Sequence, residues 1–128
     1  MQNVHSYINQ ATLTGTGHSG KIFVRGFRNC GIGLFASGTV DMVVKIKIGF
    51  GDTVDFGSAA SATNKWSYAT STDLSTPGKV AGATGYTLTT AGQKDLEVDV
   101  NAADWVGVEV YSYTNGTLRV SFHISDNE

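Results

Sequence analysis

A few side chains in this chain of 128 residues have the types and spacing of chemical sites. Residues 15–20 match the GxGxxG pattern of dinucleotide sites, and Asp41 lies about twenty residues further along the chain. A dinucleotide site needs a strand before this pattern and a helix after it. The next residues, Lys21-Ile22-Phe23-Val24-Arg25, alternate like a strand. The glycines are therefore interpreted as a flexible link, and no nucleotide site is predicted.

Three carboxylates, Asp95, Glu97 and Asp99, share one face of a single predicted strand. Residues i and i+2 of a strand are about 6.5–7 Å apart, too far for all three to share one Ca²⁺ without loop ligands. The pattern favours a solvated face or an edge that resists unwanted pairing. The alternative is a salt contact with Lys45 and Lys47 on a neighbouring strand or subunit.

The remaining reactive residue types form no recognisable catalytic pattern. His5, His18 and His123 have no partner at metal or triad spacing, and the sequence contains neither GxSxG nor HExxH. The single cysteine, Cys30, is interpreted as a small buried thiol. The chain is therefore predicted not to be an enzyme, and no cofactor or metal is expected.

Composition narrows the choice of partners. The net charge is −2, with 9 basic and 11 acidic residues, which argues against nucleic acid as the main partner. No stretch of about 18 apolar residues exists to span a membrane, and the N-terminal residues do not resemble a signal peptide. Charged residues make up 16%, below the roughly 25% typical of soluble domains. These features predict a protein made in the cytoplasm, with a surface suited to packing against other subunits.

Period-2 alternation of apolar residues dominates the chain, and no window shows a helical period. The clearest alternations lie at residues 40–48 and 96–100. At residues 21–29 one face carries Ile22 and Val24, and which face is buried stays open. About eight strands separated by Gly-rich turns predict an all-β, antiparallel β-sandwich resembling a jelly roll. An extended arm over residues 1–20 and a single domain over 21–128 are expected, with a long polar loop at 71–93.

The last third of the chain predicts a β-hairpin. Residues 106–110 and 118–124 alternate and meet at Thr114-Asn115-Gly116. A three-residue loop places apolar side chains opposite each other, and the pairs are Val110 with Val120, Val108 with Phe122, and Val106 with Ile124. The same register places Tyr111 opposite Arg119, a geometry that suits a cation–π contact.

Outward-facing aromatic and arginine side chains predict a subunit interface, because both types are enriched at interfaces. The candidates are Phe23, Arg25, Phe27, Trp105, Tyr111 and Arg119. A sugar-stacking platform is the alternative, and it would use Trp66, Tyr68 or Trp105.

The sequence resembles small head-decoration or cement proteins of tailed bacteriophages. The motifs that carry the resemblance are FVRGF at residues 23–27, ASGTV at 36–40, SAASATNKWSY at 58–68, and NAADWV at 101–106 running into YTNGT at 113–117. The resemblance implies a β-sandwich homotrimer that sits on the capsid surface and reinforces the major capsid protein. It transfers no active-site residue, and it does not cover the 1–20 arm. A carbohydrate-binding host-adhesion module and a tail or baseplate component are the other functions that the sequence leaves open.

Overall fold

The structure, a computed structural model, describes residues 5–76 and 80–125. It confirms the all-β, antiparallel class, with ten strands where about eight were predicted. The strands are His5–Leu13 (β1), Gly17–His18 (β2), Ile22–Phe23 (β3), Asn29–Gly49 (β4), Trp66–Tyr68 (β5), Ser71–Asp73 (β6), Val80–Ala81 (β7), Tyr86–Leu88 (β8), Gly92–Asp99 (β9) and Trp105–Ser125 (β10). Within the described residues, no helix is long and apolar enough to cross a membrane.

The two longest strands, β4 and β10, organise the fold by pairing antiparallel from end to end. Trp105 lies opposite Gly49 at one end, and Ser125 lies opposite Asn29 at the other. The predicted hairpin is therefore wrong, because residues 105–125 form one strand instead of two strands that pair with each other. The alternation at residues 40–48 belongs to a longer strand as well, since β4 runs from Asn29 to Gly49 without interruption.

The turn signal at residues 114–116 marks a bend in the long strands. The β4–β10 register shifts on both sides of Asn115. Gly116 has φ +112° in β10, and Gly38 has φ +82° in β4. Glycines with positive φ are common at such β-bulges, which bend a strand without ending it. Pairing with β4 outweighs the local preference for a hairpin turn here, because the long apolar alternation of β4 offers partners to both halves of β10.

The remaining strands extend this pair into one hydrogen-bonded sheet. The order is β1-β10-β4-β9-β6-β7, with β2 and β3 also on β10 and β5 and β8 also on β4. Part of the predicted arm is thus strand β1, which pairs with the C-terminal half of β10. The arm-to-domain boundary at residue 20 stays a prediction. The predicted 71–93 loop contains three short strands, so that prediction is corrected.

The bend lets both halves of the long strands share one apolar core. Strand β8 pairs with the second half of β4, and β6 joins the first half through β9. The Tyr86 hydroxyl of β8 lies 2.9 Å from Ser71 Oγ of β6 and donates to the Ser71 carbonyl at 3.0 Å, both buried. Core residues from both halves of each strand include Ile32, Leu34, Met42, Val44, Val108 and Phe122.

Burial also settles two expectations from the sequence. Of the two faces of residues 21–29, the one with Ile22 and Val24 is buried, while Phe23 stays 47% exposed. Cys30 is fully buried, and burial raises the pKa of its thiol to about 12. The interpretation of Cys30 as a small buried thiol is confirmed.

We expect Gly116→Ala to lower the free energy of unfolding by about 1–3 kcal/mol. The φ of +112° disfavours a side chain, and a Cβ would lie 3.2 Å from both Met42 Cε and the Thr39 carbonyl oxygen. Urea denaturation measures the loss. Gly15→Ala is the matched control, because nothing lies within 4 Å of its added Cβ and its φ is unexceptional. Equal stability of the two variants would contradict the bend.

Candidate functional site

The clearest exposed feature is an aromatic and basic patch where β3 meets the start of β10. We call Lys21, Phe23, Arg25 and Trp105 the Trp105 patch. Phe23 is paired with Trp105 across the two strands, and their rings meet edge to face with centroids 4.9 Å apart. Lys21 Nζ lies 4.7 Å from the centre of the Trp105 ring, and the Arg25 guanidinium lies 5.1 Å from that of Phe23. The patch thus joins two aromatic rings to two cations.

Hydrogen bonds hold the Trp105 patch in place. Trp105 Nε1 donates to the Gly51 carbonyl at 2.9 Å. Arg25 donates to Asp104 at 2.7 Å and to Asp52 at 3.0 Å. The bond from Arg25, and after it one from the Gly51 N–H, lowers the pKa of Asp104. Exposed ion pairs of this kind add little stability, so their main effect is to fix the orientation of the side chains.

A second group of polar and aromatic side chains lies on the outer face of the same half of the sheet. Its centre is Lys47, which is 3% exposed. Lys47 Nζ donates to the Phe56 carbonyl at 2.7 Å, and lies 3.0 Å from His18 Nε2 and 3.5 Å from Glu109 Oε2. The Tyr68 hydroxyl donates to the other Glu109 oxygen at 3.0 Å. We call His18, Lys47, Tyr68 and Glu109 the Lys47 cluster.

The pKa values of two side chains in the Lys47 cluster, His18 and Tyr68, are shifted by their surroundings. Burial, and after it the nearby Lys47 charge, lowers the pKa of His18, and Glu109 and Asp55 offset this in part. Burial and the hydrogen bond to Glu109 raise the pKa of Tyr68 to about 12. A buried ammonium is tolerated only when it is paired and hydrogen-bonded. The cluster therefore joins β2, β5 and the loop at Phe56 to the central strands.

Sequence reasoning missed the Lys47 cluster. Its signal was present, because Lys45 and Lys47 alternate with core residues of β4 and so share the outer face. The identity of the strand opposite them, which supplies Glu109, depended on the β4–β10 register. His18 belongs to the glycine segment interpreted as a flexible link, and that segment contains β2, paired with Glu109 and Val110.

The structure brings together half of the six predicted interface residues. Phe23, Arg25 and Trp105 form the Trp105 patch, whereas Phe27 is partly buried and packs against the core. The contact predicted between Tyr111 and Arg119 is wrong, since it relied on the hairpin register.

Tyr111 and Arg119 lie on different halves of the sheet. Lys45 Nζ lies 3.3 Å from the centre of the Tyr111 ring, so Lys45 makes the cation–π contact that Arg119 was expected to make. Arg119 is exposed and lies opposite Phe35 and Thr12.

The salt contact named as the alternative for Asp95, Glu97 and Asp99, with Lys45 and Lys47 of a neighbouring strand, is not made within the chain. Strand β9 pairs with residues 29–36 of β4, and the two lysines belong to the other half. Lys47 instead faces Glu109. In the part of the chain that the structure describes, no group of three or more His, Cys, Asp or Glu side chains is placed to hold a metal ion.

Of the three sugar-stacking candidates, Tyr68 belongs to the Lys47 cluster, Trp66 packs beside that cluster, and Trp105 belongs to the Trp105 patch. Trp66 and Tyr68 meet edge to face with centroids 5.3 Å apart. Lys47 Nζ lies 3.9 Å from the centre of the Trp66 ring, and Trp66 Nε1 donates to the Ser58 carbonyl. Sugar stacking stays a prediction, with one face of Trp66 already covered.

The fold and the site define the class of protein: an all-β protein built on one bent antiparallel sheet, with an exposed aromatic patch. Among solved structures, the fold is similar to the crystal structure of SPBc2 prophage-derived protein YomS, with a TM-score of 0.68 and 14% sequence identity. The match covers 98% of this chain and 96% of that one. At this identity the likeness shows the fold alone. No protein-family model and no curated protein sequence matches the chain.

We expect stability to fall as the pH drops below 6.5, and His18→Asn to remove part of that fall. Because the folded chain lowers the pKa of His18 below 6.5, the unfolded chain binds a proton first and gains stability from it. The contribution of neutral His18 to the free energy of unfolding is complete above pH 6.5. It is lost as the pH falls toward the pKa that His18 has in the folded chain. The lowered pKa values of Asp55, Asp73 and Asp104 act in the same direction, but only below about 3.8.

Urea unfolding of the wild type and His18→Asn, measured from about pH 8 to about pH 5, gives this difference. Parallel stability curves for the two proteins would show that His18 is not held neutral by the cluster.

Proposed function

We propose that this chain is a non-enzymatic structural subunit of a phage particle, acting as a capsid decoration or cement protein. In this proposal it forms a homo-oligomer, with a trimer favoured, and binds the major capsid protein at the outer surface of the virion. It is made in the host cytoplasm and works by adhesion, with no cofactor, nucleic acid or membrane involved.

The observation that carries this proposal is the exposed and pre-ordered Trp105 patch. Tryptophan and arginine are enriched among the residues that contribute most to protein–protein binding. Phe23 is 47% exposed, and the Trp105 indole is held by its bond to Gly51. A surface ordered before binding loses less side-chain entropy on association. The patch therefore suits a permanent contact between subunits.

The likeness to YomS supports the phage part of the proposal. YomS is described as prophage-derived, and the two chains match over almost their whole lengths. A shared fold of this extent makes a phage genome the first place to look for the function of this chain.

Strand β1 supports the contact with the shell. It stands at one end of the sheet order, so one of its edges is paired with β10 and, among the described residues, its other edge has no strand partner. An exposed strand edge presents backbone N–H and C=O groups that another chain can bind. We infer that the 1–20 segment docks on the shell through this edge.

Two other functions have weaker support. A sugar-binding module would need open aromatic faces, and Lys47 covers one face of Trp66 while Lys21 lies over Trp105. A tail or baseplate component would use the same contacts at another place in the particle, and the number of copies per particle separates it from a decoration protein.

The number of copies in purified particles tests the proposal. Quantitative mass spectrometry of phage particles should find this chain in a fixed ratio to the major capsid protein, with antibody labelling over the head. A few copies per particle, labelled at the tail, would contradict the decoration role and favour a tail component. Absence from washed particles would overturn the structural role itself.

A further inference from the structure

A long loop over residues 50–65 joins β4 to β5 and lies on the outer face of the sheet. Connections longer than about 12–15 residues are uncommon in compact domains unless they carry a function or are disordered. Two glycines of the sheet leave room for this loop. A Cβ at Gly49 would lie 2.8 Å from Val54 Cγ1, and a Cβ at Gly107 would lie 2.9 Å from the Phe56 ring. Val54 and Phe56 are buried by this packing, which anchors the loop on the sheet.

Hydrogen bonds order the rest of the loop. The Asn64 side chain accepts from the Asp55 N–H at 2.8 Å and donates to the Asp55 and Ala59 carbonyls at 2.9 and 3.1 Å. Trp66 Nε1 donates to the Ser58 carbonyl at 2.8 Å. The loop is thus held from within and from β5, so disorder does not account for its length. Groups that are ordered in this way lose less entropy when they bind a ligand.

The loop forms the wall of an open cleft beside Lys21, with a volume of about 470 Å³. Small-molecule sites have volumes of about 300–1,000 Å³. Val54 and Ala59 are the apolar residues among those described in the wall. Hydroxyl, amide or carboxylate groups are carried by the others apart from Lys21, which are Thr53, Asp55, Ser58, Ser61, Thr63 and Asn64. The wall is therefore rich in groups that donate and accept hydrogen bonds.

The polar groups of the wall keep hydrogen-bonding capacity beyond their contacts within the chain. Each carboxylate oxygen of Asp55 accepts one bond, from a backbone N–H or from the Ser58 hydroxyl, and can accept another. Lys21 donates one N–H to a carbonyl of the loop at 2.6 Å and lies over the Trp105 ring, so a third N–H is left. Thr53 is exposed, and its hydroxyl forms no hydrogen bond within the part of the chain that the structure describes. A donor, an acceptor and a free hydroxyl are therefore available to a ligand.

The charges at the cleft balance each other. Hydrogen bonds from Ser58 and from the Gly57 N–H lower the pKa of Asp55, so its carboxylate is ionised at neutral pH. Lys21 places one positive charge beside this negative one. An anionic ligand would meet the Asp55 carboxylate, and an apolar ligand would leave the polar wall without partners. The wall therefore favours a neutral ligand that carries many hydroxyl groups.

We propose that the cleft between the 53–64 loop and Lys21 binds a neutral sugar through hydrogen bonds from Lys21 and to Asp55 and Thr53. The site is separate from the stacking platform considered above, because none of the described residues in its wall is aromatic. Recognition of a neutral glycan is a further function of the chain, and it does not depend on the place of the chain in a particle.

A glycan microarray tests the class of ligand. It carries neutral glycans of hexoses and N-acetylhexosamines beside sialylated and phosphorylated ones, and we expect the purified chain to bind neutral glycans. NMR titration of the ¹⁵N-labelled chain with the best-bound glycan then locates the site. The amide signals that shift should be those of residues 53–64 and of the residues next to Lys21. Failure to bind any neutral glycan, or shifts confined to other parts of the chain, would overturn the inference.

Two variants test the cleft itself. Ala59→Trp fills the cleft and keeps the backbone carbonyl that Asn64 uses, so it should raise the dissociation constant of the glycan by about tenfold or more. Thr53→Val removes one exposed hydroxyl at nearly the same volume and should raise the dissociation constant about threefold to tenfold, the usual effect of one lost hydrogen bond.

Ala102→Trp is the matched control, because it makes the same substitution at an exposed alanine outside the cleft. It should bind the glycan as tightly as the wild type, and circular dichroism should show the same sheet content in all three variants. Wild-type affinity in both Ala59→Trp and Thr53→Val would place the sugar elsewhere and contradict the proposal. The number of copies per particle would be unchanged by that result, so the decoration role is tested separately.

Discussion

The antiparallel pairing of β4 with β10 is the constraint on which the rest of the structure depends. Each strand has 21 residues, and hydrogen bonding between them runs from Trp105 opposite Gly49 to Ser125 opposite Asn29. Every other strand except β6 and β7 pairs directly with one of these two. Because the pair bends near Gly38 and Gly116, its two halves turn their apolar faces to one core and their outer faces in different directions.

This bend divides the outer surface into two chemically different regions. One half of the sheet carries the Trp105 patch and the Lys47 cluster, in which lysine, aromatic and glutamate side chains satisfy one another. The other half carries the carboxylates of β9 beside glycine backbone. The two halves of the sheet therefore present surfaces of different chemistry.

The sequence predicted the faces of the strands better than their partners. Alternation correctly placed Leu96 and Val98 in the core, and it put Trp105 on the outside, because side-chain direction is a local property. At residues 21–29 it separated two faces and left open which of them is buried. Pairing is not local. The Asn115-Gly116 signal is the same for a hairpin and for a bulge, and only competition with β4 decides between them. Predictions that relied on the hairpin register are wrong for this reason, and the contact of Tyr111 with Arg119 is one of them. The Lys47 cluster was out of reach for the same reason.

Native mass spectrometry of the purified chain, beside Trp105→Ala, tests most directly whether the Trp105 patch is a subunit contact. We expect a discrete trimer for the wild type and a shift to monomer for the variant, since the indole is central to the patch. Trp105→Ala should keep its fold, checked by circular dichroism, because this side chain lies outside the apolar core. A wild type that stays monomeric at all concentrations, or a trimer unchanged by Trp105→Ala, would contradict this role of the patch.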